Sequence, residues 1–189
     1  EVENIVIKKS LFAHKLVEES MLLANESAAE FMQERLGLGV YRIHEDPDPS
    51  KLEALKKHFK IPPKVVKKLS PLEVVNLCLE QANKNNDDTG QILVLQTLAR
   101  AEYSTNNLGH FGLQLKQYSH FTSPIRRYPD LLVHRLINSS LAQKKTQTRQ
   151  NELQDECENS SILERRAEKA SRQVEQVLIC TYLKTKIGS

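Results

Sequence analysis

A mainly helical α+β fold, with several helices and a few short strands, is predicted by three observations on the 189-residue sequence. Apolar residues recur every three or four positions over most of the chain, the spacing of one helical face. Ser-Pro pairs and glycines stand where such stretches would start and stop. Only brief segments, such as "VYRIH" at 40–44, have the character of a strand.

The first helix is "AHKLVEESMLLANESAAEFMQERLGLG" (13–39), in which Leu16, Val17, Met21, Ala24, Ala28, Phe31 and Leu36 keep helical spacing. Gly37 or Gly39 ends it. The strand at 40–44 follows, and then the loop "EDPDPS" (45–50), with Ser50 as the expected N-cap of "KLEALKKHF" (51–59). "IPPK" (61–64) breaks that helix, and Ser70 as cap with Pro71 at the first helical position opens the next, "SPLEVVNLCLEQAN" (70–83). "KNNDDTG" (84–90) is expected to be a turn-rich linker. "QILVLQTLARAEYST" (91–105) carries an apolar helix into an extended segment, and "NNLGHFGLQL" (106–115) is loop or strand around its glycines. Ser123 is expected to cap a helix that opens at Pro124 and runs to about Leu141. "AQKKTQTRQ" (142–150) reads as a polar connection, and 151–186 as one long helix. Along that helix Leu163, Ala167, Ala170, Val174 and Val177 step by 4, 3, 4 and 3. This seam is expected to be buried against its own domain rather than in a coiled coil.

With 39% hydrophobic and 27% charged residues the chain reads as a soluble globular protein, neither disordered nor membranous. No apolar run approaches the length of a bilayer span, and no charged-then-apolar leader is visible, so a cytoplasmic protein without a membrane partner is expected. The three cysteines, Cys78, Cys157 and Cys180, are odd in number and widely spaced, which suits reduced, buried thiols. The absence of Cys-x-x-Cys or paired Cys/His spacing argues against a zinc site. The chain starts at Glu1 without a methionine and ends in "KIGS", so it is expected to be a piece of something longer.

Charge is unevenly placed. The whole chain has 27 Lys and Arg against 24 Asp and Glu, a net of +3. Residues 116–135 alone hold Lys116, Arg126, Arg127 and Arg135 against Asp130, which is already +3. A clustered basic segment on an otherwise balanced protein suggests a phosphate-bearing partner. In a helix capped by Ser123, Arg126 and Arg127 would lie in the first turn, where free backbone N–H groups and the helix dipole also favour anions. The competing reading is that one arginine pairs with Asp130 on a solvated surface and contributes little. His134 lies four residues after Asp130, as a His–carboxylate pair or in a structural hydrogen bond. His120 sits beside Tyr118 and Phe121, which could stack nucleic-acid bases or pack in the core. Glu18 and Asn25, seven residues apart on the first helix, could address a sugar hydroxyl or a base edge, or form a solvated face. Asp46, Asp48, Asp87 and Asp88 fall in turn-like loops, and no tight carboxylate cluster able to hold Mg²⁺ is present.

The segment "HFGLQLKQYSHFTSPIRRYPDLLVHR" (110–135) closely resembles the signature of the RNB family of exoribonucleases, and within it the bacterial ribonuclease R branch. "AHKLVEESMLLANESAA" (13–29), "YRIHEDPDPSKLEAL" (41–55) and "ERRAEKASRQVE" (164–175) resemble further family segments in the family's order. The resemblance implies a C-terminal part of an RNB-type catalytic domain over residues 1–189, and a hydrolase that degrades single-stranded RNA from its 3′ end to nucleoside monophosphates with Mg²⁺. It assigns Arg126 to the scissile phosphate as the catalytic residue, with Arg127, Glu18, Tyr128 and Ser123 toward RNA. Glu18 would accept from a 2′-OH, and Asp130, Asn25 and His120 would support the site, with Tyr128, Pro129 and Asp130 bracing the arginine turn. The family's aspartate cluster and flanking oligonucleotide-binding barrels have no counterpart in the sequence, so the Mg²⁺ ligands are expected outside this chain, on a missing N-terminal half that becomes a partner. The alternative is a non-catalytic RNA-binding or interaction module on the same scaffold.

Overall fold

A computed structural model describes residues 10–62, 64, 69–143, 150–184 and 186–187. Six α-helices occur among them: α1 (Phe12–Phe31), α2 (Pro49–His58), α3 (Pro71–Asn85), α4 (Asp88–Thr97), α5 (Tyr128–Leu141) and α6 (Gln150–Lys184). Two short strands, β1 (Tyr41–Ile43) and β2 (Glu102–Ser104), pair as a two-stranded sheet. The architecture is the mainly helical α+β fold that the periodicity predicts. Among the described residues no helix is long and apolar enough to cross a membrane.

The chain forms two compact units: Glu1–Tyr41, Tyr103–Asn106 and Ser119–Ser189 make the first, Arg42–Glu102 and Asn107–Tyr118 the second. In the first, α1 runs into a wider π-helical turn at Met32–Leu36, which Gly37 closes at φ +62. A left-handed residue at this position suits glycine, which lacks a Cβ. Ala28 and Met32 pack with Val40, Tyr103, Val133, Leu136, Leu153 and Cys157 to form the core of this unit.

The second unit packs α2, α3 and α4 around Leu52, Leu55, Val74, Cys78 and Val94. Ser70 and Glu73 form a reciprocal capping box before α3, Ser70 N–H donating to Glu73 Oε2 at 2.7 Å and Glu73 N–H to Ser70 Oγ at 3.3 Å. His44 and His110 meet edge to face, 5.1 Å between ring centroids, and their Nδ1 atoms accept from the backbone of Gly112 and Leu113. Burial first of all holds both imidazoles below their usual range, His110 down to about 4, and each also lies near the charge of Arg42.

Several local expectations are corrected. The N-cap of α2 is Asp48, whose Oδ1 accepts from Ser50 N–H at 2.7 Å, because Pro49 takes the first helical position and holds Asp48 extended. "KNNDDTG" is mostly helical: α3 reaches Asn85, Asn86 turns left-handed at φ 51, and Asp87 already caps α4 by accepting from Gly90 N–H. Residues 144–149 of the expected polar connection lie outside the described residues. The long helix α6 is present, but its seam is not covered: Leu163, Val174 and Val177 are about 60% exposed, and only Leu153, Cys157 and Ser161 are buried. Cys78 and Cys157 are buried free thiols, whereas Cys180 is exposed.

Candidate functional site

The basic segment does not begin with a helix. Residues 124–126 form a turn in which Ser123 C=O accepts from Arg126 N–H (3.2 Å) and Arg127 N–H (3.1 Å), and α5 starts four residues later than Ser123-Pro124 suggested. Pro124 sits inside that turn, and Pro129 is the proline of the first helical turn. Arg126 therefore precedes the helix and Arg127 is its N-cap residue. The two arginines therefore do not share the first helical turn, where the sequence placed them.

Asp130 organises this turn from within. Its side chain is fully buried, and one oxygen, Oδ1, accepts from both Ser123 N–H at 2.8 Å and Arg127 Nη2 at 2.7 Å. The pair is an interior contact rather than a solvated surface pair, with Arg127 only 20% exposed along its side chain. It is also one-pronged, since Asp130 Oδ2 and Arg127 Nε are buried without hydrogen-bond partners among the described residues. Arg127 is thereby neutralised, while Arg126, exposed beside the fully exposed Ile125, makes no ion pair among the described residues. One buried carboxylate thus puts the two adjacent arginines in different environments.

The preceding segment is anchored residue by residue. Ser119 is buried and donates to Val40 C=O. His120 Nδ1 lies 2.8 Å from the hydroxyl of Tyr103. Phe121 stacks on His134, ring centroids 4.2 Å apart and 8° from parallel, and His134 Nε2 reaches Phe121 C=O at 2.9 Å. A carbonyl only accepts, so Nε2 carries the proton. This settles His134 as a structural partner of the loop backbone rather than of Asp130. Asn25, at 3% exposure, accepts through Oδ1 from Phe121 N–H (2.9 Å) and Thr122 N–H (3.2 Å). Its oxygen is committed to backbone and is not presented to a sugar hydroxyl.

Beside the turn lies a hollow of about 700 Å³, walled by Arg126, Arg127, Tyr128 and Tyr103 on one side and by α6 residues such as Asn159 and Leu163 on the other. That volume lies within the range of small-molecule sites, and Glu156, Glu164 and Glu168 share its wall with the two arginines. Tyr128 is 45% exposed and offers a face for stacking. Glu18 stands exposed on α1 and does not line the hollow. Tyr103 went unrecognised in sequence: it is buried, its hydroxyl meets His120, and its N–H donates to Ser161 Oγ of α6 at 2.9 Å. Nothing in "EYS" signals this, because both partners lie far along the chain. Among the described residues no group of three or more His, Cys, Asp or Glu is placed to hold a metal.

Comparisons with known proteins point the same way as the motif. The RNB domain family matches residues 1–143. Ribonuclease R of Vibrio parahaemolyticus is 34% identical over 191 residues, which cover 93% of this chain and 23% of that protein. The chain spans about a quarter of the length of the curated relatives it matches. Among solved structures, Mycoplasma genitalium RNase R in complex with double-stranded RNA superposes with a TM-score of 0.77 at 28% identity, covering 94% of this chain and 33% of that one. Yeast Ssd1, described as a pseudonuclease, shares the fold with a TM-score of 0.60 at 23% identity, over 78% of this chain and 19% of its own.

Proposed function

The chain belongs to the RNB family, and on that premise we propose that it supplies the phosphate-binding arginine side of a 3′-to-5′ exoribonuclease acting on single-stranded RNA. The observation that carries this reading is the division between the two arginines: Asp130 holds Arg127 inside the fold and leaves Arg126 exposed at the edge of the hollow. A guanidinium donates to two phosphate oxygens at once, and the contact strengthens as charge develops on the transferring phosphoryl group. Arginines in that position contribute on the order of 10³–10⁵ to phosphoryl-transfer rates. Tyr128 would stack a base, and Ser123, whose backbone is used within the turn, would contribute only its hydroxyl. Arg127 acts as a brace, and Glu18 would meet a 2′-OH from α1, the group that distinguishes RNA from DNA.

The reading makes the products nucleoside monophosphates. Mg²⁺, which supplies nucleophile activation in such hydrolysis, would be held by residues of a partner N-terminal half. A reducing cytoplasm agrees with three free cysteines, and burial raises the two interior thiols, Cys78 to about 11 and Cys157 to about 12.

The alternative reading is a non-catalytic RNA-binding module on the same scaffold, in which the exposed Arg126 at the edge of the hollow holds RNA without hydrolysis. A denaturing-gel time course separates the two. A 5′-labelled single-stranded RNA is incubated with the chain in Mg²⁺ or EDTA, with and without the corresponding N-terminal half of a ribonuclease R. The exoribonuclease reading expects Mg²⁺-dependent shortening from the 3′ end when both halves are present, lost in Arg126→Ala. RNA binding with no shortening under any of these conditions establishes the module instead.

A further inference from the structure

Arg126 and Arg127 differ in how their positions are fixed. The side chain of Arg127 is tied directly to Asp130 Oδ1 at 2.7 Å. Arg126 makes no ion pair among the described residues, so its place in space comes from the backbone of its turn. That backbone is attached to the rest of the unit just upstream. Phe121 N–H and Thr122 N–H both end on Asn25 Oδ1, across 96 and 97 residues of sequence, and the next N–H, that of Ser123, ends on Asp130. Three consecutive peptide N–H groups are thus held by two buried side chains, one from α1 and one from α5.

We infer that Asn25 is a positioning residue for Arg126: it fixes the 121–122 peptides against α1 and so sets where the exposed guanidinium meets phosphate. The inference rests on the reading of Arg126 as the phosphate ligand. Asn25 is suited to the task in three respects. It is 3% exposed, so water does not compete for its oxygen. A carbonyl oxygen has two lone pairs, and here both serve neighbouring N–H groups of one segment. It also stands on a long regular helix, a firmer base than another loop would be. Recognition of a phosphate by one guanidinium depends steeply on its placement, so a loosened peptide at 121–122 weakens the contact without removing any atom that touches RNA.

The test is a double-mutant cycle on the whole chain, read by fluorescence anisotropy of a labelled single-stranded oligoribonucleotide in EDTA. The chains are wild type, Asn25→Ala, Asn25→Asp, Arg126→Ala and the Asn25→Ala/Arg126→Ala double variant. Aspartate keeps an acceptor oxygen at the same reach. We expect Asn25→Ala to weaken binding about tenfold, Asn25→Asp to recover most of that loss, and Asn25→Ala to have no effect once Arg126 is alanine. Where the alanine chain does not fold, Asn25→Gln, one methylene longer, displaces the same peptides and takes its place in the cycle with the same expectation. Equal losses with and without Arg126 overturn the positioning role and leave the phosphate reading standing. An Arg126→Ala chain that binds as wild type overturns the phosphate reading, and this inference with it.

Discussion

Arg127 and Asp130 form a buried ion pair, Nη2 to Oδ1 at 2.7 Å, and the same oxygen also holds the backbone N–H of Ser123. The contact joins the start of α5 to the turn before it and leaves Arg126 as the outward-facing charge of the pair "RR".

Removing the carboxylate is expected to be severe. Asp130→Ala leaves a largely buried guanidinium and a peptide N–H without their shared acceptor, and breaking such a pair costs about 3–5 kcal/mol. Asp130→Asn retains an oxygen for both donors and is expected to lose less than half as much. Denaturant midpoints of the two variants, with unchanged m-values, check the order.

Acid should act first on the second unit. His110 binds a proton less well folded than unfolded, its value falling from 6.5 to about 4. Stability from keeping it neutral is therefore complete above about 6.5 and is lost as pH falls toward about 4. His44, shifted in the same direction, adds to the effect. Protonation would also remove the Nδ1 acceptors that hold Gly112 N–H and Leu113 N–H. The melting temperature should decline through this window, and His110→Asn, which retains an acceptor without a titrating ring, should flatten the decline between pH 6.5 and 5.

Thiol reactivity should separate by burial. Cys180 is exposed, whereas burial raises Cys157 to about 12 and Cys78 to about 11. A thiol reagent at neutral pH should titrate one cysteine rapidly and the other two only in denaturant. Rapid reaction of all three in the native chain would show that the two cores are open.

The Ser70–Glu73 box is expected to contribute through both directions of its hydrogen bonding. Ser70→Ala should cost about 1 kcal/mol. The bond from Glu73 N–H to Ser70 Oγ does not titrate, whereas hydrogen bonds from Ser70 hold the Glu73 carboxyl below its usual value, so that part of the box is present above the ordinary glutamate pKa and fades on acidification. Comparing Ser70→Ala with wild type at pH 7 and below pH 4 tests both halves of the statement.

The parts of the fold that were legible are those decided within a few residues. Ser70-Pro71 with Glu73 announces a helix start by local chemistry alone, and "VYRIH" is short and β-branched enough to be a strand. Ser123-Pro124 carries half of the same signal, yet the helix starts at Tyr128, because Ser123 gives its N–H to Asp130 and its carbonyl to the turn. Asp48 and Ser50 are both good caps, and Pro49 decides between them. The seam on α6 shows the limit of periodicity, which identifies one face of a helix and says nothing of what lies against it. In the site, the family motif singled out Arg126, Arg127 and Asp130 together. Which arginine the aspartate takes, the two backbone bonds to Asn25 and the Tyr103–His120 contact all depend on residues brought close only by the fold.

The central claim is that Arg126 is the phosphate ligand and Arg127 a structural brace. The most direct test is the affinity of the whole chain for a labelled single-stranded RNA in EDTA, measured over a range of salt for wild type, Arg126→Ala and Arg127→Ala, with melting temperatures alongside. Arg126→Ala is expected to weaken binding, lower the salt slope by about 0.7 for the loss of one phosphate contact, and leave the melting temperature unchanged. Arg127→Ala lowers the melting temperature. Wild-type affinity and an unchanged salt slope in Arg126→Ala would contradict the claim.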